Sequence, residues 1–149
     1  MEGKEILDSI IGKKLDKGRT QSFVLNGELI EKINLTYLKF DNWISIVSSD
    51  ELTTVRKVNK DFESRESFGD KEFYYPIVPI NIYFPDFEKY VGKKLVSWKE
   101  LVWNKNNKLS FGINLYFEDN MNLIIHDNTS EERNQYVFKN SVPADLIEK

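Results

Sequence analysis

Gly12-Lys13-Lys14-Leu15 returns as Gly92-Lys93-Lys94-Leu95, and this duplication decides the fold. At the same offset of eighty residues, Asn26, Leu29, Ile33, Asn34 and Leu35 recur as Asn106, Leu109, Ile113, Asn114 and Leu115, nine identities in twenty-four aligned positions. Average residue usage gives roughly one or two by chance. Dropping two residues from the second copy then brings Asp41-Asn42 onto Asp119-Asn120, each followed by an apolar stretch, 43–47 or 121–125. A tight turn between strands is where length changes most freely, so the deletion is placed there. Two copies of one supersecondary unit are expected, spanning residues 6–60 and 86–140, with 61–85 connecting them.

Working outward, the second copy shows its strands most clearly, at 95–103, 109–118 and 121–127, with turns at 104–108 and 118–120. Phe111, Ile113, Leu115 and Phe117 fall at period two with Ser110, Gly112 and Asn114 between them, the pattern of a half-buried strand. The first copy gives strands at 22–25, 29–40 and 43–48, and Asn26-Gly27 is a strong hairpin signal between the first two. A fourth short strand is expected in each unit, at 53–58 and 135–139.

Ahead of each Gly-Lys-Lys-Leu lies a short helical segment, 5–11 or 87–91. Ile6, Leu7, Ile10 and Ile11 make one apolar stripe. Gly12 and Gly92 suit a helix C-terminal position with positive φ, and the lysine pairs sit near the negative helix end. The element therefore has a structural explanation, and it lacks the longer glycine-rich approach and hydroxyl of a phosphate loop. Between the units, 59–71 is charged and reads as a mobile loop. Pro76 and Pro79 remove ladder donors, which puts the next strand at 80–84. The tail is expected to hold a helical turn after Pro143. The fold class is α+β, mainly β: two tandem meander pseudo-repeats in one domain, forming a sandwich or a partial barrel, with short helices at the repeat starts.

Composition narrows the chemistry. The 149 residues include no cysteine, which excludes disulfides, thiolate metal sites and cysteine nucleophiles. Lys and Arg number 21 against 24 Asp and Glu, a net charge of −3, so no bulk positive field favours nucleic acid. There is neither a secretory signal pattern nor an apolar run of membrane-spanning length. A soluble cytoplasmic protein with no cofactor, metal, membrane or nucleic-acid partner is expected.

His126 is the only histidine, leaving general acid-base work as its one sharp possibility, against the plainer reading of an edge histidine. Its counterpart in the first unit is Ser48. The serines lack a nucleophile-elbow context. Carboxylates gather at Asp50-Glu51, Glu118-Asp119, Asp127 and Glu131-Glu132, without the alternation around a glycine of a hard-cation loop. They read either as solvated loop charges or as an acidic surface for a basic partner. Among the aromatics most belong to the core, while Tyr74 and Tyr75, in the run Phe73-Tyr74-Tyr75-Pro76, are candidates for exposed interface anchors.

The duplicated Gly-Lys-Lys-Leu elements, the Ile-Asn-Leu strands leading to Asp-Asn turns and the acidic balance resemble the small cytoplasmic immunity proteins encoded beside bacterial polymorphic or contact-dependent toxins. The resemblance covers 6–60 and 86–140 and rests on short structural motifs. It implies a non-enzymatic inhibitor that occludes the active site of a cognate toxin domain, often a nuclease with a basic substrate-binding surface. The candidate partner-binding residues are Asp50, Glu51, Tyr74, Tyr75, Glu118, Asp119, Glu131 and Glu132. A small-ligand carrier with an aromatic-lined cavity is the alternative, and an enzyme using His126 with Asp127 is a third.

Overall fold

A computed structural model describes residues 1–130 and 133–149, side chains at 60 and 61 excepted. The chain forms two antiparallel sheets, ordered β4-β3-β2-β1-β6-β5 and β10-β9-β8-β7-β11. In the first, β1 (Lys17–Leu25), β2 (Glu28–Lys39), β3 (Trp43–Ser49) and β4 (Leu52–Lys57) make a meander, extended beside β1 by β6 (Phe73–Pro79) and β5 (Ser67–Gly69). In the second, β7 (Leu95–Trp103), β8 (Asn106–Phe117), β9 (Met121–Asp127) and β10 (Asn134–Phe138) repeat the meander, extended beside β7 by β11 (Leu146–Glu148). The arrangement is a sandwich, not a closed barrel.

Alternation along each strand builds the interior. Leu38, Ile44, Ile46 and Val55 of the first sheet meet Ile113, Leu115, Phe117, Leu123 and Ile125 of the second. Each fully buried aliphatic side chain contributes about 1.5–3 kcal/mol relative to exposure. One end of the sandwich is closed by α1 (Lys4–Ser9) with its C-cap Ile10 and by the 3₁₀ segment Pro85–Tyr90; Leu7 and Phe87, Ile10 and Tyr90 are buried equivalents at the offset of eighty.

The two Gly-Lys-Lys-Leu elements pair with each other. The Gly12 N–H donates to the Leu95 carbonyl at 2.7 Å and the Gly92 N–H to the Leu15 carbonyl at 2.7 Å. The Leu15 N–H donates to Lys93 O at 2.9 Å and the Leu95 N–H to Lys13 O at 3.0 Å. Lys14 thus faces Lys94 in an antiparallel bridge that lies on a local two-fold axis. Even the flanking ion pairs recur, Lys13 with Asp41 and Lys93 with Asp119. Gly12 and Gly92 take φ values of 83° and 84°, the left-handed conformation expected after the helical segments.

Several expectations need correction. Asn26-Gly27 closes the first hairpin with Leu25 facing Glu28, and Asn104-Lys105 closes its counterpart with Trp103 facing Asn106. That turn has two residues rather than five. The offset is therefore seventy-eight (104 against 26), and it persists where Thr36 faces Ile46 as Asn114 faces Ile124. The two-residue difference lies between Leu15 and the hairpin, not at Asp41, because a shift of two preserves which face each side chain occupies.

The segment 59–71 holds structure of its own, β5 and a 3₁₀ turn, Lys60–Ser64, which puts Phe62 against Tyr37 at 4.2 Å and Trp43 at 5.0 Å, covering the outer face of the first sheet. Residues 80–84 are not a strand, since Ile80–Tyr83 is helical (α2) and the strand precedes it as β6. Pro76 is tolerated because the β1–β6 ladder is interrupted there, and Pro79 because it ends the strand. After Pro143 the chain turns and continues as β11, where Leu146 packs with Leu101 and Ile124 on the outer face of the second sheet. No helix among the described residues is long and apolar enough to cross a membrane.

Candidate functional site

The two meanders differ in one respect that creates a site. In the second, β8 and β9 stay paired from Phe117–Met121 to Gly112–His126. In the first, the β2–β3 ladder stops at Thr36–Ile46. Beyond that point the strands part, and a cavity of about 330 Å³ opens between Glu31, Asn34 and Leu35 of β2 and Val47, Ser48 and Ser49 of β3. Phe111, Asp127, Thr129 and Asn134 of the second sheet and its loops complete the lining.

Asp50 and Glu51 stand at the rim as a two-residue hairpin with φ values of 50° and 62°. Two hydrogen bonds hold this rim: the Ser110 N–H donates to Glu51 O at 2.8 Å, and Asn134 Nδ2 donates to Ser48 O at 3.2 Å. Glu31 and Asp127 bring the carboxylates lining the cavity to four. Burial raises the Glu31 carboxyl above its usual range, opposed by the Asn134 N–H and the Arg133 charge. The lining thus carries a negative excess in a partly dehydrated recess, which suits an ammonium or guanidinium group.

Next to Glu31 the same strand becomes apolar and exposed. Leu29 and Ile30 are 47% and 41% exposed, and Phe73 and Tyr74 on β6 are 46% and 39% exposed. Val24 faces Leu29 on one side and Tyr74 on the other, so these three side chains form one row across β2, β1 and β6. On the other face Phe23 stacks on Tyr75 at 5.1 Å and on Phe73 at 6.3 Å. Tyr75 is therefore half-buried in an aromatic stack, while Tyr74 belongs to the open row. The signal for this strip was the Leu29-Ile30 pair: adjacent apolar residues on a strand point to opposite faces, and at a sheet end neither is covered.

The remaining candidates lie elsewhere. Glu118 accepts the Lys94 N–H at 3.0 Å, and Asp119 pairs with Lys93, both beside the two-fold axis. From Ser110, which holds Glu51, to Glu118 is eight strand steps, about 25 Å. Asp50-Glu51 and Glu118-Asp119 thus occupy opposite ends of the sandwich. Glu131 and Glu132 lie outside the described residues.

His126 is buried at 4% exposure, with Nδ1 3.0 Å from the Asp127 carbonyl and Nε2 without a hydrogen-bond partner among the described residues. Burial lowers its pKa, against the smaller opposing effects of that carbonyl and of Asp145. His126 is absent from the lining of the acidic cavity, where Asp127 appears. Among the described residues, no group of three or more potential metal-ligating side chains converges.

A second recess of about 290 Å³ lies by the starts of β1 and β3, lined in part by Lys17, Arg19, Trp43, Glu63 and Phe87. Its Glu63 accepts from Lys17 at 2.6 Å, Lys39 at 3.1 Å and Trp43 Nε1, and these donors pull its pKa down to about 2. Those contacts tie the 3₁₀ turn to the sheet. No family model, curated protein or solved structure matches this chain.

Proposed function

We propose that this chain acts by gripping another protein, as an immunity protein that neutralises a bacterial toxin by occluding its active site. The observation that carries the reading is the continuity along β2 of an exposed apolar row, Leu29 and Tyr74 with Val24 between them, and an acidic recess entered at Glu31. Apolar anchors beside complementary charge are what a tight interface requires: the first supplies desolvation, the second orientation and encounter rate. Glu31, Asp50 and Glu51 are placed to receive a basic side chain of the partner, such as one that would otherwise hold a phosphate. The recess is formed by rigid strands and a two-residue turn, so little ordering is needed on binding.

The test pairs the protein with the C-terminal domain of a secreted protein encoded in the adjoining reading frame. Co-production should abolish growth arrest by that domain, and calorimetry should show direct binding. Leu29→Asp with Tyr74→Ala should remove both effects while leaving the melting temperature near that of the parent, because both positions are open to solvent. Asp50→Lys with Glu51→Lys should slow association, more at low salt. A partner bound as tightly by the Leu29→Asp, Tyr74→Ala protein as by the parent would remove the basis of the proposal.

A further inference from the structure

We infer that the local two-fold axis carries a site for a compact dianion, held between Lys14 and Lys94, independently of the surface proposed above. The bridge joining these residues has reciprocal bonds from Leu15 N–H to Lys93 O and from Leu95 N–H to Lys13 O. Lys14 and Lys94 are therefore a non-hydrogen-bonded antiparallel pair, the type with Cα atoms only about 4.5 Å apart and side chains closest. Leu15 and Leu95 are fully buried, so alternation sends Lys14 and Lys94 the other way, into solvent, on one face. Like charges directly opposite each other oppose the pairing.

The neighbouring charges sharpen the point. Lys13 and Lys93 are each matched, by Asp41 and Asp119. Lys14 and Lys94 have no ion pair among the described residues, and the Glu118 carboxylate accepts the Lys94 backbone N–H rather than its ammonium. Gly12 and Gly92 leave the surroundings open, with nothing within 4 Å of where a Cβ would stand. Two ammonium groups on adjacent stems can each donate to one tetrahedral oxyanion, which relieves their mutual repulsion. Asp41, Glu118 and Asp119 flank the pair and repel an extended polyanion such as nucleic acid, so the ligand chemistry is a single phosphoryl-type group.

Amide NMR titration with inorganic phosphate at low ionic strength tests this. The Gly12 and Gly92 resonances should shift together and saturably, with at least tenfold weaker binding in Lys14→Gln or Lys94→Gln and none in the double variant. Lys14→Arg should retain binding. Sedimentation with phosphatidylcholine vesicles containing phosphatidic acid decides the source: co-sedimentation lost in the double variant identifies a lipid phosphate, and an inorganic phosphate response alone identifies a free anion. No saturable shift and no variant-sensitive sedimentation, or equal responses in the double variant and the parent, would overturn the inference. The amide spectrum of each variant reports directly that it is folded.

Discussion

Leu15 and Leu95 are twins by position, and replacing each by alanine measures how far the twinning is energetic. Both are fully buried in the same cluster, and each sits in the reciprocal hydrogen-bonded seam. Removing the side chain forfeits its transfer free energy and leaves a cavity that the two sheets cannot close without breaking the seam. About 3–4 kcal/mol is expected for each substitution. That is two to three orders of magnitude in the folding constant, at about 1.4 kcal/mol for each factor of ten. With a urea dependence of about 2 kcal/mol/M, each midpoint should fall by roughly 1.5–2 M. Tryptophan fluorescence follows the transition directly, since Trp43 and Trp98 lie in different sheets. The double variant should depart from additivity, because both residues belong to one cluster. Total stabilities of about 5–15 kcal/mol leave it marginal or unfolded. Lys14→Ala, on the opposite face of the same seam, should lower stability little or raise it. If Leu15→Ala lost less than about 1 kcal/mol while Leu95→Ala lost more than about 3, the seam would not be a symmetric energetic unit.

Gly112→Ala should destabilise by more than about 2 kcal/mol, since the new Cβ would stand 2.3 Å from the Ile125 carbonyl oxygen and 2.6 Å from His126 Cα, backbone that cannot swing aside; an unchanged thermal midpoint would refute this. Glu63, its pKa depressed to about 2, contributes stability above its ordinary 4.5 that is lost as pH falls toward 2, so Glu63→Gln should flatten the acid limb of stability against pH in urea titrations. His126 has the opposite charge logic: its folded pKa lies below 6.5, the unfolded chain takes up the proton first, and stability declines as pH falls below 6.5. Titration of the single imidazole by NMR should show a native-state midpoint below 6.5, and an ordinary or raised midpoint would contradict its burial.

Much of the fold was legible because period-two alternation and turn chemistry act locally. Strands at 95–103 and 121–127 match β7 and β9 in full, and Asn26-Gly27 forms the hairpin its residue types demand, with φ values of 48° and 83°. The misreadings arose where distant partners decide. Phe73–Pro79 is a strand despite two prolines because β1 supplies a ladder with an interruption at the first. Phe62 turns a charged connector into a cover because Tyr37 and Trp43 offer it an aromatic bed. In the site, Asp50-Glu51 was visible as an acidic turn. Glu31 was not, because its role depends on β2 and β3 separating after Thr36, a tertiary event with no local signature. The same holds for the exposed apolar row, which exists only once β6 lies beside β1.

The reciprocal bonds between Gly12–Leu15 and Gly92–Leu95 set a timetable for biosynthesis. An emerging chain cannot seat Leu15 until Lys93 and Leu95 have left the ribosome, some eighty residues later. At about 5–20 residues per second that is a wait of roughly 4–16 s, during which the first meander's inner face has no opposite sheet. A nascent-chain arrest series should therefore show no protease-resistant species before the second meander is exposed.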